Sequence, residues 1–301
     1  MATNEKLRAQ GQIFHQLRKQ RNYSIASLGE KSTISRFERG QGSLHLEDAL
    51  DIFNKINLCP ADFYGFLHPD QPSAIKTLAQ EVFDAFTTLD LKKLLALQKK
   101  AEASDDALLA LGLKILLTDP VISEQLEAKG LPVPVITTKE EYTISDYVFQ
   151  IDYWDYYNLF LFDLFCMKLS DKMLEYCMNY FSRRVSEYHH NAEHSHILLL
   201  SLSRTVFYML DKGDQERARD FLDKLSLFTT EDDLFYRVVQ RYLEGYYDYS
   251  FVDKAAGRLK MAGALGVLRD FGSEKIVRIL DYHFKTRCSD VDTAAGASSI
   301  A

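Results

Sequence analysis

KSTISRFERGQ, residues 31–41, has the form of a short amphipathic helix followed by its own stop signal. Ile34 and Phe37 stand at i and i+3, the spacing of one helix face. Arg36 and Arg39 share a second face, and Glu38 between them is placed to hold an arginine. Gly40 and Gly42 follow, as glycine does beyond a helix C-cap. Ser32, Thr33 and Ser35 put small hydroxyls at the start of the helix. Such side chains can bond base edges or phosphates without blocking access to a DNA groove. The pattern alone also fits an ordinary surface helix, so its neighbourhood has to decide.

Upstream, the spacing predicts a helix over residues 5–21 with Ile13, Phe14 and Leu17 inward. Arg18, Lys19 and Arg21 cluster at its end, where they suit the helix dipole and could reach phosphates. Ser24 is a candidate N-cap for the next helix. Downstream, LHLEDALDIFNKI places Leu44, Ala49, Leu50 and Phe53 on one stripe, and Pro60 marks a further boundary. Residues 1–42 carry eight Lys or Arg against three acids, a net +5. The rest of the chain then holds −12 of the total −7. A basic head on an acidic body directs the head, not the body, toward an anion such as nucleic acid.

Gly11, Phe14, Leu17 and Arg18, followed by ISRFERG, resemble the Cro/repressor type of helix-turn-helix. More narrowly, SRFERG (35–40) is similar to the Rgg (Rgg/GadR/MutR) group of Gram-positive transcription regulators. LEGYYDYSF, GRLKMAGALGVLRDFG and ILDYHFK resemble the end of that family's helical domain. The resemblance implies a DNA-binding head, a helical-repeat body, homodimerisation and control by a short signalling peptide, as in quorum sensing. It makes Arg18, Lys19, Arg21, Ser32, Thr33, Ser35, Arg36 and Arg39 the expected DNA contacts. One feature departs from the pattern. Ser24 to Ile34 is ten residues, about five fewer than such motifs place there, and two helices with a reversal need more chain than that.

Beyond HPDQPS (68–73), apolar residues recur at helical spacing in segment after segment. YWDYYNLFLFDLFCM reads as a buried helix interrupted by Asp155 and Asp163, not as a membrane span, and no run of about 18 apolar residues occurs. LPVPVITT breaks the helical pattern. LDKGDQERARDFLDKLSLF (210–228) and FVDKAAGRLKMAGALGVLRDFG (251–272) resemble each other at an offset of about 40 residues. Their small residues Ala218, Ala256, Ala262 and Ala264 suit close helix packing, as in a helix-pair solenoid. Asn158, Tyr236, Arg237 and Arg241 are candidates for gripping an extended peptide through amide, ring and guanidinium groups, although Tyr at helical spacing is also ordinary core.

The expected architecture is therefore all-α. A helix-turn-helix domain spans 1–66, a helical-repeat (TPR-like) domain spans 70–288 and a flexible tail spans 289–301. The expected function is cytoplasmic transcription regulation on double-stranded promoter DNA, as a homodimer with a peptide effector and without cofactor, metal or membrane. The opening MATNEKLRAQ does not read as a signal peptide. Four scattered cysteines, none in a C-x-x-C pair, suggest reduced core thiols. Two rival readings stand beside this one. The first is a peptide-binding interaction protein with a defective DNA head. The second is a zinc metallohydrolase using His190, Glu193 and His194 of HNAEH, an H-x-x-E-H pattern that lacks an identifiable third ligand.

Overall fold

The computed structural model describes residues 2–68, 73–189 and 191–288. Every regular element among them is helical. The chain divides into two compact units, Met1–Thr77 and Leu78–Ala301.

The first unit holds α1 (Ala2–Gln20), a single 3-10 turn (Ile25–Ser27), α2 (Lys31–Glu38), α3 (Leu46–Lys55) and α4 (Pro60–Leu67). Its core is Phe14, Leu28, Ile34, Phe37, Ile52, Phe53, Ile56 and Leu58. The Phe14 ring lies 5.5 Å from Phe37 and 6.2 Å from Phe53, so one aromatic residue of α1 touches both α2 and α3. The α3 stripe is shifted from the expected one. Ile52, Phe53 and Ile56 point inward, whereas Leu50 is exposed. The helix begins only at Leu46, and its periodicity from there buries the 52–53–56 side.

The shortened junction keeps its packing but loses a helix. Ser24 does cap, but what it caps is one 3-10 turn, with its Oγ accepting from Ser27 N at 3.2 Å. Ile25 and Leu28 still reach the core from this turn, and Lys55 Nζ fastens it by donating to the Leu28 carbonyl at 3.3 Å. The α1–α2 approach is close enough to require glycine. A Cβ on Gly11 would fall 2.2 Å from the Phe37 carbonyl oxygen. Gly40, at φ +66°, ends α2 in the left-handed region, and a Cβ added there would fall 2.7 Å from the Arg8 Cα.

Helix α5 (Ala74–Thr87) begins in the first unit and enters the second at Leu78. The second unit then runs through α6 (Leu91–Glu102), α7 (Ala107–Leu116), α8 (Pro120–Ala128), α9 (Thr138–Phe149) and α10 (Tyr156–Phe165). It continues with α11 (Asp171–Ser182), α12 (Val185–His189), α13 (Ala192–Lys212), α14 (Gln215–Ser226), α15 (Leu234–Phe251), α16 (Lys254–Asp270) and α17 (Glu274–Arg287). Much of its acidity sits at helix starts. Asp90, Asp106, Asp155, Asp214 and Asp253 each accept a hydrogen bond from a backbone N–H of the helix that follows. There they satisfy orphan donors and complement the positive end of the dipole.

Helix α10 packs on α7 and α13, α13 on α14 and α15, and α15 on α16. This neighbour-on-neighbour order is that of a solenoid. Leu159–Phe165 is buried without interruption, while Trp154 lies before the helix, edge-on to Phe162 and Phe181. The two similar blocks become α14 and α16, each preceded by an Asp cap. Ala218 and Ala264 are buried as expected, but Ala256 and Ala262 are exposed. The closest backbone approach falls instead at Gly257, whose added Cβ would lie 2.2 Å from Tyr249 N and 2.5 Å from the Gly245 carbonyl oxygen. Cys166, Cys177 and Cys288 are buried, whereas Cys59 is exposed. No helix among the described residues is long and apolar enough to cross a membrane. The expected tail, 289–301, lies outside the described residues.

Candidate functional site

In the head, Ile34 and Phe37 anchor α2 to the core. That orientation leaves Lys31, Ser32, Arg36 and Arg39 exposed, with Thr33 and Ser35 half-buried. Arg39 Nε donates to the Ser35 carbonyl at 3.1 Å, and Arg36 lies 3.4 Å from the Gln41 carbonyl. Both are light tethers on otherwise free guanidinium groups. Lys19 is exposed, and Arg21 is half-buried with one buried nitrogen that has no partner among the described residues.

Arg18 does not face outward, so the expectation that it contacts phosphate is corrected. Its side chain is 3% exposed and bonds Glu38 through both Nε and NH2, the latter at 2.9 Å, while NH1 donates to the Tyr23 carbonyl at 2.6 Å. His15 Nδ1 donates to the same Glu38 carboxylate at 2.7 Å. Burial pushes the Glu38 carboxyl up, but the bonds and charge from Arg18 and His15 outweigh it and hold the group below its ordinary value. Glu38 thus does hold an arginine, one twenty residues away on α1 and not its neighbours on α2.

A second carboxylate lies at the other end of α2. Glu30 occupies the N-cap, where it accepts from Ser32 Oγ at 2.5 Å and from Thr33 Oγ1 at 2.8 Å. Those two bonds lower the Glu30 carboxyl below its ordinary value. The hydroxyls expected to meet DNA are therefore held by an acid at the helix start.

In the body, the four candidates for peptide contact divide. Asn158 has both ends of its amide engaged locally: Tyr147 Oη donates to Oδ1 at 2.5 Å and Nδ2 donates to the Tyr153 carbonyl at 2.8 Å. Tyr236 is buried, with its hydroxyl donating to the His196 carbonyl at 2.9 Å. Both side chains are thus already bonded within the body. Arg237 and Arg241 are exposed one turn apart on α15 and form no ion pair among the described residues.

Sequence reasoning missed the most heavily charged part of the interior. Arg204 of α13 donates to Asp163 at 3.2 Å and to Asp119 at 3.2 Å, with its guanidinium 5.1 Å from the centre of the Phe86 ring. Burial raises both carboxyls despite the arginine. The available signal was Asp163 itself, an acid in the middle of an otherwise apolar helix, which needs a buried partner.

The HNAEH pattern straddles a helix start. Asn191 caps α13, accepting from the backbone of Glu193 and His194 at 3.2 Å. His190 lies outside the described residues. Among the described residues no group of three or more His, Cys, Asp or Glu is placed to hold a metal ion.

Comparison with known proteins adds two findings. Residues 91–281, more than half of the chain, match the family model described as "HTH-type transcriptional regulator Rgg, C-terminal domain". The fold is also similar to solved structures over nearly the whole chain. The SHP pheromone receptor Rgg2 of Streptococcus dysgalactiae is 21% identical with a TM-score of 0.65, covering 92% of this chain and 99% of that one. A putative transcriptional regulator from Listeria monocytogenes EGD-e is 14% identical with a TM-score of 0.72, covering 92% and 96%. PrgX in complex with cCF10 is 13% identical with a TM-score of 0.63, covering 93% and 92%.

Proposed function

The chain belongs to the Rgg family of helix-turn-helix transcriptional regulators, and from that premise we propose that it binds promoter DNA as a homodimer and answers to a short signalling peptide. The observation that carries the DNA half is the setting of α2. Its apolar side is locked into the head, and its Lys31, Arg36 and Arg39 side is free. In this reading Arg36, Arg39, Lys31 and Lys19 supply phosphate contacts, with Arg21 at their edge. Ser32, Thr33 and Ser35 contribute at the groove once DNA competes for the Glu30 bonds. Two α2 helices of a dimer would read half-sites about one helical turn, roughly 34 Å, apart.

The peptide half draws on similarity in fold to Rgg2, described as a pheromone receptor, and to PrgX, described in complex with cCF10. In the body the exposed pair Arg237 and Arg241 is the best placed of the candidate contacts, since two free guanidinium groups can capture a carboxylate. The whole protein would then act in the cytoplasm, where DNA and an imported peptide meet.

One observation favours a second reading. With a single turn where a helix would precede α2, and with Glu30 at the α2 start, the head could be a non-binding relic on a peptide-binding body. Genomic footprinting of the full chain, with and without culture supernatant, separates the two. Discrete occupied sites that change in number or strength with supernatant are expected. An absence of sites in both conditions, with the protein present and folded, would leave the relic reading standing.

A further inference from the structure

The first and last helices of the body meet. Lys275 Nζ donates to Asp84 of α5 at 2.6 Å, Arg278 NH1 lies 3.5 Å from the Thr88 carbonyl, and the Tyr282 hydroxyl donates to Glu124 of α8. These partners are 191, 190 and 158 residues apart in sequence. Lys275, Arg278 and Tyr282 stand at i, i+3 and i+7, one face of α17. A single helical stripe therefore bridges to both α5 and α8.

The bridging side chains are all polar, and the ion pair is half open to water, with Lys275 52% and Asp84 43% exposed. Exposed ion pairs hold weakly and are screened by salt. Beside the pair an open cleft of about 390 Å³ is lined by Phe83 of α5, Phe235 of α15 and residues 272–276 at the start of α17. The opposite side of α17 is fixed differently. Leu280 and His283 are buried, and the Tyr242 hydroxyl donates to the Leu280 carbonyl at 2.9 Å inside the core. On α5, the side away from the seam is also buried, at Ala79, Val82 and Ala85. Helix α17 is thus held to α15 and α16 by buried contacts, whereas its junction with α5 and α8 is polar and half open to water.

We infer that the Lys275–Arg278–Tyr282 stripe of α17 is a releasable polar clasp that joins the two ends of the helical body, giving it a closed and an open state. Opening separates α17 from α5 and α8 and uncovers Phe83 and Phe235, while the helices on either side stay packed. A solenoid whose ends are joined this way has a two-state element that ligand binding along it can bias. Its use in peptide sensing rests on the function proposed above. The existence of the two states does not.

Pulsed electron resonance between spin labels on Lys92→Cys and Lys285→Cys tests this in the full chain. Both positions are exposed, and a Cys59→Ser background leaves only buried thiols. At low salt one narrow distance is expected. Lys275→Glu or Asp84→Lys alone should add a longer distance, and the two together should restore the short one. Raising salt to about 1 M should lengthen the distance in the chain without charge changes, a result that needs no variant to fold. Helix content by circular dichroism should be the same throughout. One unchanging distance across the reversals and both salt concentrations would overturn the clasp, as would a charge swap that fails to restore the short distance. Neither result would touch peptide binding, which a titration with peptide fractions of the supernatant reads separately.

Discussion

Arg204→Leu should destabilise the body by about 3–5 kcal/mol, the usual cost of removing one partner from a buried ion pair. The guanidinium lies between Asp119 and Asp163, both less than a tenth exposed, and is the donor that each acid shares. The variant leaves two buried carboxylates without a counter-charge, and Asp163 already has one oxygen buried without a partner. Burial has raised both carboxyls above their ordinary 3.8 even with the arginine present. In the variant they rise further. The folded state then binds more protons than the unfolded one, so stability falls as pH rises above that ordinary value. Urea unfolding followed by Trp154 fluorescence at pH 5 and pH 7.5 should show the loss and its steeper effect at the higher pH. Adding Asp119→Asn and Asp163→Asn should return much of the stability. A loss under about 1 kcal/mol would mean that the triad is better solvated than its geometry indicates.

Arg18→Ala should unfold the head while leaving the body intact. Its partner Glu38 is 6% exposed at the side chain, so truncation leaves a buried carboxylate with only the half-exposed His15 as partner, again at about 3–5 kcal/mol. A domain of this size has only about 5–15 kcal/mol in total, and Arg18 also holds the Tyr23 carbonyl at the turn into the shortened junction. Arg18→Lys should rescue little, because an ammonium cannot make the two-nitrogen contact with Glu38. The chain's one tryptophan is in the body, so fluorescence does not report this event. Hydrogen exchange of the α1 and α2 amides does, and it should accelerate while exchange in α10 and α13 stays slow. The pH dependence has the opposite sign to that of the body. Glu38 is held below its ordinary 4.5 in the folded head, so its contribution is complete above that value and is lost as pH falls below it. Protected α1 amides in Arg18→Ala would show that the ion pair is dispensable.

How far the sequence revealed these features depended on the range of the interaction. Ile34 and Phe37 inward with Arg36 and Arg39 outward follows from i, i+3 spacing, because helix geometry fixes it locally. The α14–α16 likeness was visible for the same reason. Arg18 was misread because a basic residue near a helix end looks like a dipole complement or a phosphate contact. Only its pairing with Glu38, across the α1–α2 crossing, turns it inward. The Asp119–Arg204–Asp163 triad and the contacts of α17 with α5 and α8 join residues far apart in the chain. No local period announces them. Asn158 and Tyr236 fitted a peptide grip by residue type, but type does not show that the amide and hydroxyl are already bonded. The shortened segment before α2 was legible as a count of residues. That Ile25 and Leu28 would still reach the core from a single 3-10 turn was not, since it depends on the position of α3.

The most direct test of the proposed function is the salt dependence of DNA binding by the full chain and by Arg36→Ala with Arg39→Ala. It is measured by fluorescence anisotropy on the most strongly footprinted fragment. Neither arginine is in the core, so both chains should show the same α1 and α2 hydrogen exchange. The unaltered chain should bind more tightly at low salt. The double variant should bind more weakly, with the slope of log affinity against log salt shallower by about 0.9 for each phosphate that is no longer neutralised. Equal affinity and equal slope in the two chains would contradict DNA binding through α2.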